Sequence, residues 1–206
     1  MNKIVKNTLS LTLITVVLGV VLGLVHSVTA EPIARQEEQK KQEACADVFE
    51  DAQTFEAVEL ETSGLEEKFT SALADAGLEE EHIDELYNAL DGSGNTLGYV
   101  FTVTTGEGYG GDIQFTLGVA ADGTMQGISF LSISETAGLG MRANTDDFKS
   151  QFAGKNVESI AYSKTGATAD NEIDALSGAT VTTNAVTNGV NAGLCAFRFL
   201  TAGGQS

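Results

Sequence analysis

Residues 113–130 read IQFTLGVAADGTMQGISF, and this stretch decides the fold. Its first seven residues place a large apolar side chain at every second position, which is the period of a strand with one buried face. Asp122-Gly123 follows as a strong hairpin signal, and Ile128 and Phe130 then share one face of a second strand. We therefore predict an antiparallel hairpin at the centre of the protein.

The segments on either side of this hairpin also have strand character. After the hairpin the alternation slips by one residue, to Leu131 and Ile133, which predicts a β-bulge. Upstream, residues 99–104 are rich in strand-forming types, and a glycine-rich turn at 106–111 leads into the hairpin. Residues 159–163 are a further candidate strand.

Helices are predicted around these strands. In the last one, over 183–200, four apolar residues recur at helical spacing and form a buried stripe: Val186, Val190, Leu194 and Phe197. Further helices are predicted over residues 31–48, 65–76, 79–90 and 146–152. The predicted fold class is therefore α+β, with an antiparallel sheet packed against helices.

An apolar segment occupies the N-terminus. No charged residue lies between Lys6 and Glu31, and about 20 residues at a rise of about 1.5 Å span a hydrocarbon core of about 30 Å. Lys3 and Lys6 precede the segment and acidic residues follow it, so the N-terminus is expected in the cytoplasm and the body outside. The alternative is a signal peptide cleaved after Ala30. A retained anchor is favoured, because a signal-peptide core has only about 7–15 apolar residues.

Composition divides the chain and excludes some partners. We expect an anchor at 1–30, an acidic helical stalk and insertion at 31–97, and a domain at 98–206 that holds the functional motifs. The 29 acidic and 11 basic residues give a net charge of −18. Such a body repels phosphate backbones, so a nucleic-acid partner is excluded.

The chain has few residues that bind metals. Its two cysteines, Cys45 and Cys195, are too few for a zinc or iron–sulfur cluster, which needs grouped ligands. They are either two unpaired thiols or one bridge, and the first is favoured. Of the two histidines, His26 lies at the end of the apolar segment and His82 in an acidic, predicted helical stretch, so no histidine-based metal or catalytic site is predicted.

Small and hydroxyl-bearing residues precede the last helix, where residues 174–183 read DALSGATVTT. A helix N-terminus offers unpaired N–H groups and a favourable dipole, both of which suit a phosphate. Gly178 permits close approach of a ligand or of another backbone segment. On spacing alone, the simpler interpretation is that Thr180, Thr182 or Thr183 caps the helix.

This run resembles the flavinylation motif of the FMN-binding domain family. In that family a flavin transferase joins FMN, through a phosphoester bond, to the last threonine of Ser-Gly-Ala-Thr. The resemblance implies covalent FMN on Thr180, with Ser177, Gly178, Ala179 and Thr183 beside the cofactor. It also implies that the transferase recognises Asp174, Ser177, Gly178, Ala179 and Thr182.

A second copy of the core of the motif, Thr165-Gly166-Ala167-Thr168, has to be weighed against the first. It lacks an aspartate three residues before its first threonine. Ala169-Asp170 follows it, whereas the first copy is followed by a hydroxyl residue at the second position and by a predicted helix. Thr168 is therefore expected in a loop and not as the acceptor.

Residues 135–140, ETAGLG, are a second informative element. They resemble the Glu-Thr-Pro-Gly-Leu-Gly loop of the G subunit of Rnf complexes and the C subunit of sodium-pumping quinone reductases, where the loop lies beside the flavin. Ala137 replaces the proline of that pattern. Taken alone the segment is a glycine-rich turn. The resemblance implies cofactor contacts from Glu135, Thr136, Leu139 and Gly140.

The two motifs and the anchor together resemble the Rnf G subunit. That implies an electron-carrier subunit with covalent FMN in a membrane-bound, ion-translocating ferredoxin:NAD oxidoreductase complex. Its partners would be the membrane, iron–sulfur and second flavin subunits, with a flavin transferase during maturation. No catalytic residue and no dinucleotide-binding glycine fingerprint is found, so independent turnover is not expected. The alternatives are a stand-alone extracytoplasmic flavoprotein, a quinone-reductase C-type subunit and an unflavinylated, membrane-anchored binding module.

Overall fold

A computed structural model describes residues 3–203. Met1, Asn2 and residues 204–206, the outermost parts of the predicted anchor and C-terminal domain, lie outside the described residues. The chain forms two compact units with a boundary between Lys41 and Gln42.

The first unit consists of most of one long helix, α1, Lys3–Val48. An 18-residue window of this helix has a mean hydropathy of 2.5 and is 0% buried within the structure. Length and composition therefore make α1 suitable to cross a membrane. The helix predicted over residues 31–48 is confirmed as the C-terminal part of α1.

The second unit is built on a five-stranded antiparallel sheet in which each strand pairs with the next along the chain. The predicted hairpin is confirmed, and the register passes from Gln114–Ser132 to Phe115–Phe130 and so skips Leu131, where the bulge was predicted. The strands are β1 (Thr54–Val58), β2 (Glu81–Leu90), β3 (Thr96–Thr105), β4 (Ile113–Ala120) and β5 (Met125–Ser132).

The helix predicted over residues 79–90 is wrong, because this segment forms β2. Its sequence contains good helix formers, but pairing with β1 and β3 on its two sides outweighs that preference. The register shift between Ile83 and Glu85 breaks the period-two alternation that would have indicated a strand. Consequently β1 and β2, from the acidic insertion, belong to the same sheet as the strands of the C-terminal domain.

The other elements connect and cover the sheet. The helices predicted over 65–76, 146–152 and 183–200 are confirmed with changed ends, and the strand predicted over 159–163 is confirmed as part of a small parallel pair. The elements are α2 (Leu60–Ser63), α3 (Leu65–Asp75), a 3₁₀ helix (Gly140–Asn144), α4 (Asp146–Lys149), β6 (Ala161–Ser163), β7 (Glu172–Asp174) and α5 (Thr180–Thr201).

Helix α5 packs closely on one face of the sheet. A β-carbon at Gly189 would lie 2.8 Å from Phe115 Cζ, and one at Gly193 would lie 2.5 Å from Leu117 Cδ2. The two glycines are four residues apart and so lie on the same side of α5. Their missing side chains let the helix axis approach the sheet.

The C-terminal end of α1 covers the opposite face. Thr116 donates a hydrogen bond from its hydroxyl to the Ala44 carbonyl at 3.2 Å. A β-carbon at Gly118 would lie 2.4 Å from the Val48 carbonyl oxygen. Because side chains alternate along β4, Thr116 and Gly118 face α1 while Phe115 and Leu117 face α5. The sheet is therefore buried on both faces at β4.

Gly118→Ala should lower the free energy of unfolding by about 1–3 kcal/mol, because the added methyl group overlaps backbone that has no room to move. Denaturant unfolding of the full chain in detergent measures this. Gly106→Ala is the control, since a β-carbon there would meet its nearest neighbour at 3.6 Å. Equal losses in the two variants would contradict the packing of α1 on the sheet.

Candidate functional site

A cleft of about 540 Å³ opens where the loop after β5 meets the start of α5. Two segments far apart in the sequence form most of its wall, namely residues 135–140 and the turn into α5. The lining residues are Tyr109, Glu135, Thr136, Leu139, Gly140, Gly178, Ala179, Thr180, Val181 and Thr182.

Gly140 is the point of contact between the two segments. A β-carbon at this position would lie 2.5 Å from Thr182 Oγ1 and 2.6 Å from Glu135 Oε2. Only a residue without a side chain allows the loop to lie this close to the first turn of α5. The two sequence motifs are thus joined by direct packing.

The turn before α5 has its own conformational requirement. Gly178 has a φ of +80°, a region that residues with a side chain rarely adopt. A β-carbon there would also lie 3.2 Å from Leu139 Cδ2, so the loop packs against this turn as well. The Ser-Gly-Ala-Thr turn consequently needs glycine at its second position.

The structure contradicts the helix-capping interpretation. Ala179 is the N-cap residue of α5, and no side chain caps the helix there. Thr183 is fully buried, accepts a hydrogen bond from the Leu176 N–H at 3.1 Å and donates one to the Ala179 carbonyl at 2.9 Å. Thr180 is the first residue of α5 and is half-buried in the cleft wall. Its hydroxyl is therefore not committed to capping.

Eight of the residues proposed from sequence line the cleft, and three do not. Ser177 is exposed beside it, and Thr183 points inward beneath it. Asp174 is also exposed, but its Oδ1 accepts the Ala167 N–H at 2.5 Å and its own N–H donates to Gln151 at 2.6 Å. Asp174 thus holds the loop that contains the second copy of the motif.

Thr168, the threonine of that second copy, lies in an exposed loop between β6 and β7. Its N–H and its hydroxyl donate to Glu172 Oε2 at 2.8 and 3.3 Å. Hydrogen bonds from the Thr168 and Ala169 N–H groups hold the pKa of Glu172 below its ordinary value. The threonine is tied into a local turn and does not begin a helix, as the sequence predicted.

Tyr109 and Val181 line the cleft but were not proposed from the sequence. Among the described residues of the second unit, the large hydrophobic side chains that stay exposed are Tyr109 at 73%, Val181 at 49% and Leu139 at 43%. All three line this cleft. Such convergence of exposed apolar surface is typical of a binding site. The sequence signal for Tyr109 was an aromatic residue set among four glycines, at 106, 108, 110 and 111.

A buried carboxylate, Glu81, lies at the start of β2 and near Glu107 of the turn that carries Tyr109. Glu81 is 3% exposed and accepts a hydrogen bond from the Thr105 hydroxyl at 3.2 Å. Burial raises the pKa of Glu81, and the nearby charge of Glu107 raises it further. Glu107 itself accepts hydrogen bonds from two amides of α5, those of Asn184 and Asn188.

Side chains of metal-binding types and the two cysteines also lie in the described part of the chain. Within residues 3–203, no group of His, Cys, Asp and Glu side chains is arranged to hold a metal ion. Cys45 and Cys195 do not form a disulfide with each other.

Comparison with known proteins yields two family matches and several relatives. The FMN-binding domain matches residues 108–194, and the RnfG N-terminal region matches residues 1–48. The G subunit of the Na⁺-translocating ferredoxin:NAD⁺ oxidoreductase complex of Acetobacterium woodii is 36% identical over 191 residues, which are 90% of this chain and 87% of the relative. The G subunit of the proton-translocating complex of Clostridium ljungdahlii is 29% identical, and the match covers 92% of this chain and 89% of that relative.

Several solved structures are similar over part of the chain. The C subunit of the Na⁺-translocating NADH-quinone reductase of Parabacteroides distasonis shares 25% identity and gives a TM-score of 0.47. The match covers 63% of this chain and 67% of that one.

Glu81→Gln should stabilise the protein at neutral pH and have little effect in acid. Because the pKa of Glu81 is raised in the folded state, its favourable contribution to the free energy of unfolding is fully present below the ordinary pKa of 4.5. That contribution is lost as the pH rises through the folded pKa. The amide removes that loss and still accepts the Thr105 hydrogen bond. Melting temperatures of wild type and variant at pH 7.5 and near pH 4 test this, with the exposed Glu79→Gln as control. A difference that does not depend on pH would contradict it.

Proposed function

Because the chain belongs to the family of G subunits of ion-translocating ferredoxin:NAD oxidoreductase complexes, we propose that it is the FMN-bearing electron carrier of such a complex. The cleft at the start of α5 carries this proposal. It combines an available hydroxyl, Thr180, at a helix N-terminus with exposed apolar walls. When bound, FMN exchanges one or two electrons, and the protein's part is to hold and orient it.

The residues of the cleft fit the two ends of FMN. The first N–H groups of α5 lack a side-chain cap, and such groups favour a phosphate. Tyr109, Leu139 and Val181 offer apolar surface of the kind that a flat ring system covers. The body is strongly acidic, so its net charge repels a phosphate and does not account for anion binding. The fit therefore depends on local geometry.

We infer that the FMN is covalent and that Thr180 is the acceptor. Thr180 is the threonine of the Ser-Gly-Ala-Thr run that lines the cleft, whereas Thr168 does not line it. A phosphoester at the first residue of α5 would hold the phosphate beside the uncapped N–H groups. A tether of this kind keeps the cofactor on a protein that works where free FMN is scarce.

We propose that a flavin transferase recognises the same turn through exposed residues and through buried residues that set its shape. Asp174, Ser177 and Gly178 are exposed and are available to an enzyme that docks on the folded domain. Ala179 and Thr182 are 7% and 1% exposed, so they would act by shaping the turn that presents Thr180. Glu135, Thr136, Leu139 and Gly140 are proposed as the opposite wall of the FMN site.

We further propose that α1 anchors the chain in the membrane, with the N-terminus in the cytoplasm and the second unit outside. The charge asymmetry supports this orientation, since Lys3 and Lys6 precede the apolar run and Glu31 follows it. The expected partners are the membrane, iron–sulfur and second flavin subunits of the complex. We still propose residues 98–206 as the functional domain. Its sheet also contains β1 and β2, which precede residue 98.

Thr180→Val should abolish covalent FMN, because valine has nearly the shape of threonine but lacks the oxygen that forms the ester. The measurement is intact and peptide mass spectrometry of the full chain produced together with a flavin transferase. Thr168→Val is the matched control and should retain FMN at the wild-type level. FMN on the peptide that contains Thr168 would overturn the site assignment. Wild-type chain without any FMN would favour an anchored binding module.

A C-terminal alkaline phosphatase fusion should be active in cells, because the enzyme folds only outside the cytoplasm. The mass of the purified chain should correspond to a start at residue 1 or 2, as expected for a retained anchor. An inactive fusion would overturn the orientation. A mature chain that begins at Glu31 would show that the apolar segment is a cleaved signal peptide.

A further inference from the structure

We propose that Tyr109 forms a wall of the flavin site in contact with the isoalloxazine ring, and that Glu107 is the positioning residue that holds it there. This inference rests on the proposed FMN site. It assigns a ring contact to a part of the chain, the 106–111 turn, that lies outside both the Ser-Gly-Ala-Thr turn and the 135–140 loop.

Tyr109 stands alone on its turn. Residues 108–111 are Gly-Tyr-Gly-Gly, so Tyr109 carries the only side chain larger than hydrogen in this segment. The side chain is 73% exposed, yet it lines the cleft together with Leu139 and Val181. An aromatic ring held in the open beside apolar neighbours is suited to pack on another flat ring, an arrangement worth about 0.5–1.5 kcal/mol beyond the area buried.

Glu107 ties this turn to α5. Its Oε2 accepts hydrogen bonds from Asn184 Nδ2 at 3.1 Å and from Asn188 Nδ2 at 2.6 Å. The two asparagines are four residues apart, so both amides lie on one side of the helix. Hydrogen bonds to an ionised carboxylate are stronger than those between neutral groups. One side chain therefore fixes the start of the turn by two bonds.

The far side of the turn is fixed by the 135–140 loop. The Gly110 N–H donates to Glu135 Oε1 at 3.2 Å. A β-carbon at Gly110 would lie 2.0 Å from the Ser134 carbonyl oxygen, and one at Gly108 would lie 2.1 Å from the Gly111 carbonyl oxygen. The turn is thus packed against the loop at Gly110, and Gly108 has no space for a side chain because the turn folds back on itself there.

The two attachments fix the position of Tyr109 relative to Thr180, the proposed acceptor. Asn184 lies four residues after Thr180, which is about one helical turn or about 6 Å along α5. Helix α5 therefore carries both Thr180 and the amides that hold Glu107. A carboxylate at position 107 sets where the aromatic wall stands relative to the tethered cofactor.

Fluorescence of the loaded flavin tests both assignments. A phenol in contact with an excited flavin donates an electron and takes it back, so emission is lost, whereas phenylalanine does not do this. Full-length chain is loaded by a flavin transferase, and emission is normalised to the FMN content found by mass spectrometry. Tyr109→Phe should raise the normalised emission several-fold. Tyr99→Phe, whose ring packs against Phe197 away from the cleft, should leave it unchanged.

Glu107→Ala should also raise the emission, although Tyr109 is still present, because the turn is released from α5. Glu107→Gln keeps an oxygen that accepts the two amide hydrogens, so its emission should lie between wild type and Glu107→Ala. Glu79→Ala is the control, because Glu79 is an exposed carboxylate that precedes β2 and does not line the cleft. The same order is expected for the shift in the FMN midpoint potential.

The outcomes separate this inference from the proposed function. Normal FMN content with unchanged emission in Tyr109→Phe would overturn the Tyr109 wall and leave the electron-carrier role intact. Increased emission in Tyr109→Phe but not in Glu107→Ala would overturn the positioning role of Glu107. Wild-type chain that contains no FMN by mass would overturn the function and this inference together.

Discussion

The close contact at Gly140 is the constraint on which the candidate site depends. At this point the loop after β5 lies against the first turn of α5, and a β-carbon would meet both Thr182 and the Glu135 side chain. Any side chain here would push the loop away from the helix. The cleft would then lose one wall, and the Glu135 carboxylate would move away from the Gly110 N–H that it holds.

Glycines also allow close approach at other contacts between helices and the sheet. Gly189 and Gly193 let α5 settle on Phe115 and Leu117, and Gly118 lets the end of α1 settle on the other face of the same strand. These contacts fix the distance of α5 from the sheet and hence the position of its N-terminus. The exposed loops that line the cleft are therefore attached to a rigid, well-packed base.

The arrangement suits the proposed role of holding FMN for electron transfer. The acceptor proposed here begins a long helix whose other turns are buried against the sheet, so it has little freedom to move. Around it the large hydrophobic side chains left exposed in the second unit gather at one opening. At the proposed FMN site, this apolar opening on an acidic body would offer a flat, uncharged ring a place to bind and redox partners a point of approach.

The sequence by itself determined the central hairpin, the bulge after it, the last helix and the apolar N-terminal helix, because each depends on a local period or on turn chemistry. It also nominated the Ser-Gly-Ala-Thr turn and the 135–140 loop, through resemblance to known motifs. Only the tertiary structure decided that residues 81–90 form a strand, since pairing with two neighbours outweighs helix propensity. It alone joined Tyr109 and Val181 to the cleft and turned Thr183 inward. Those facts depend on which distant segments pack together, and no local pattern contains that information.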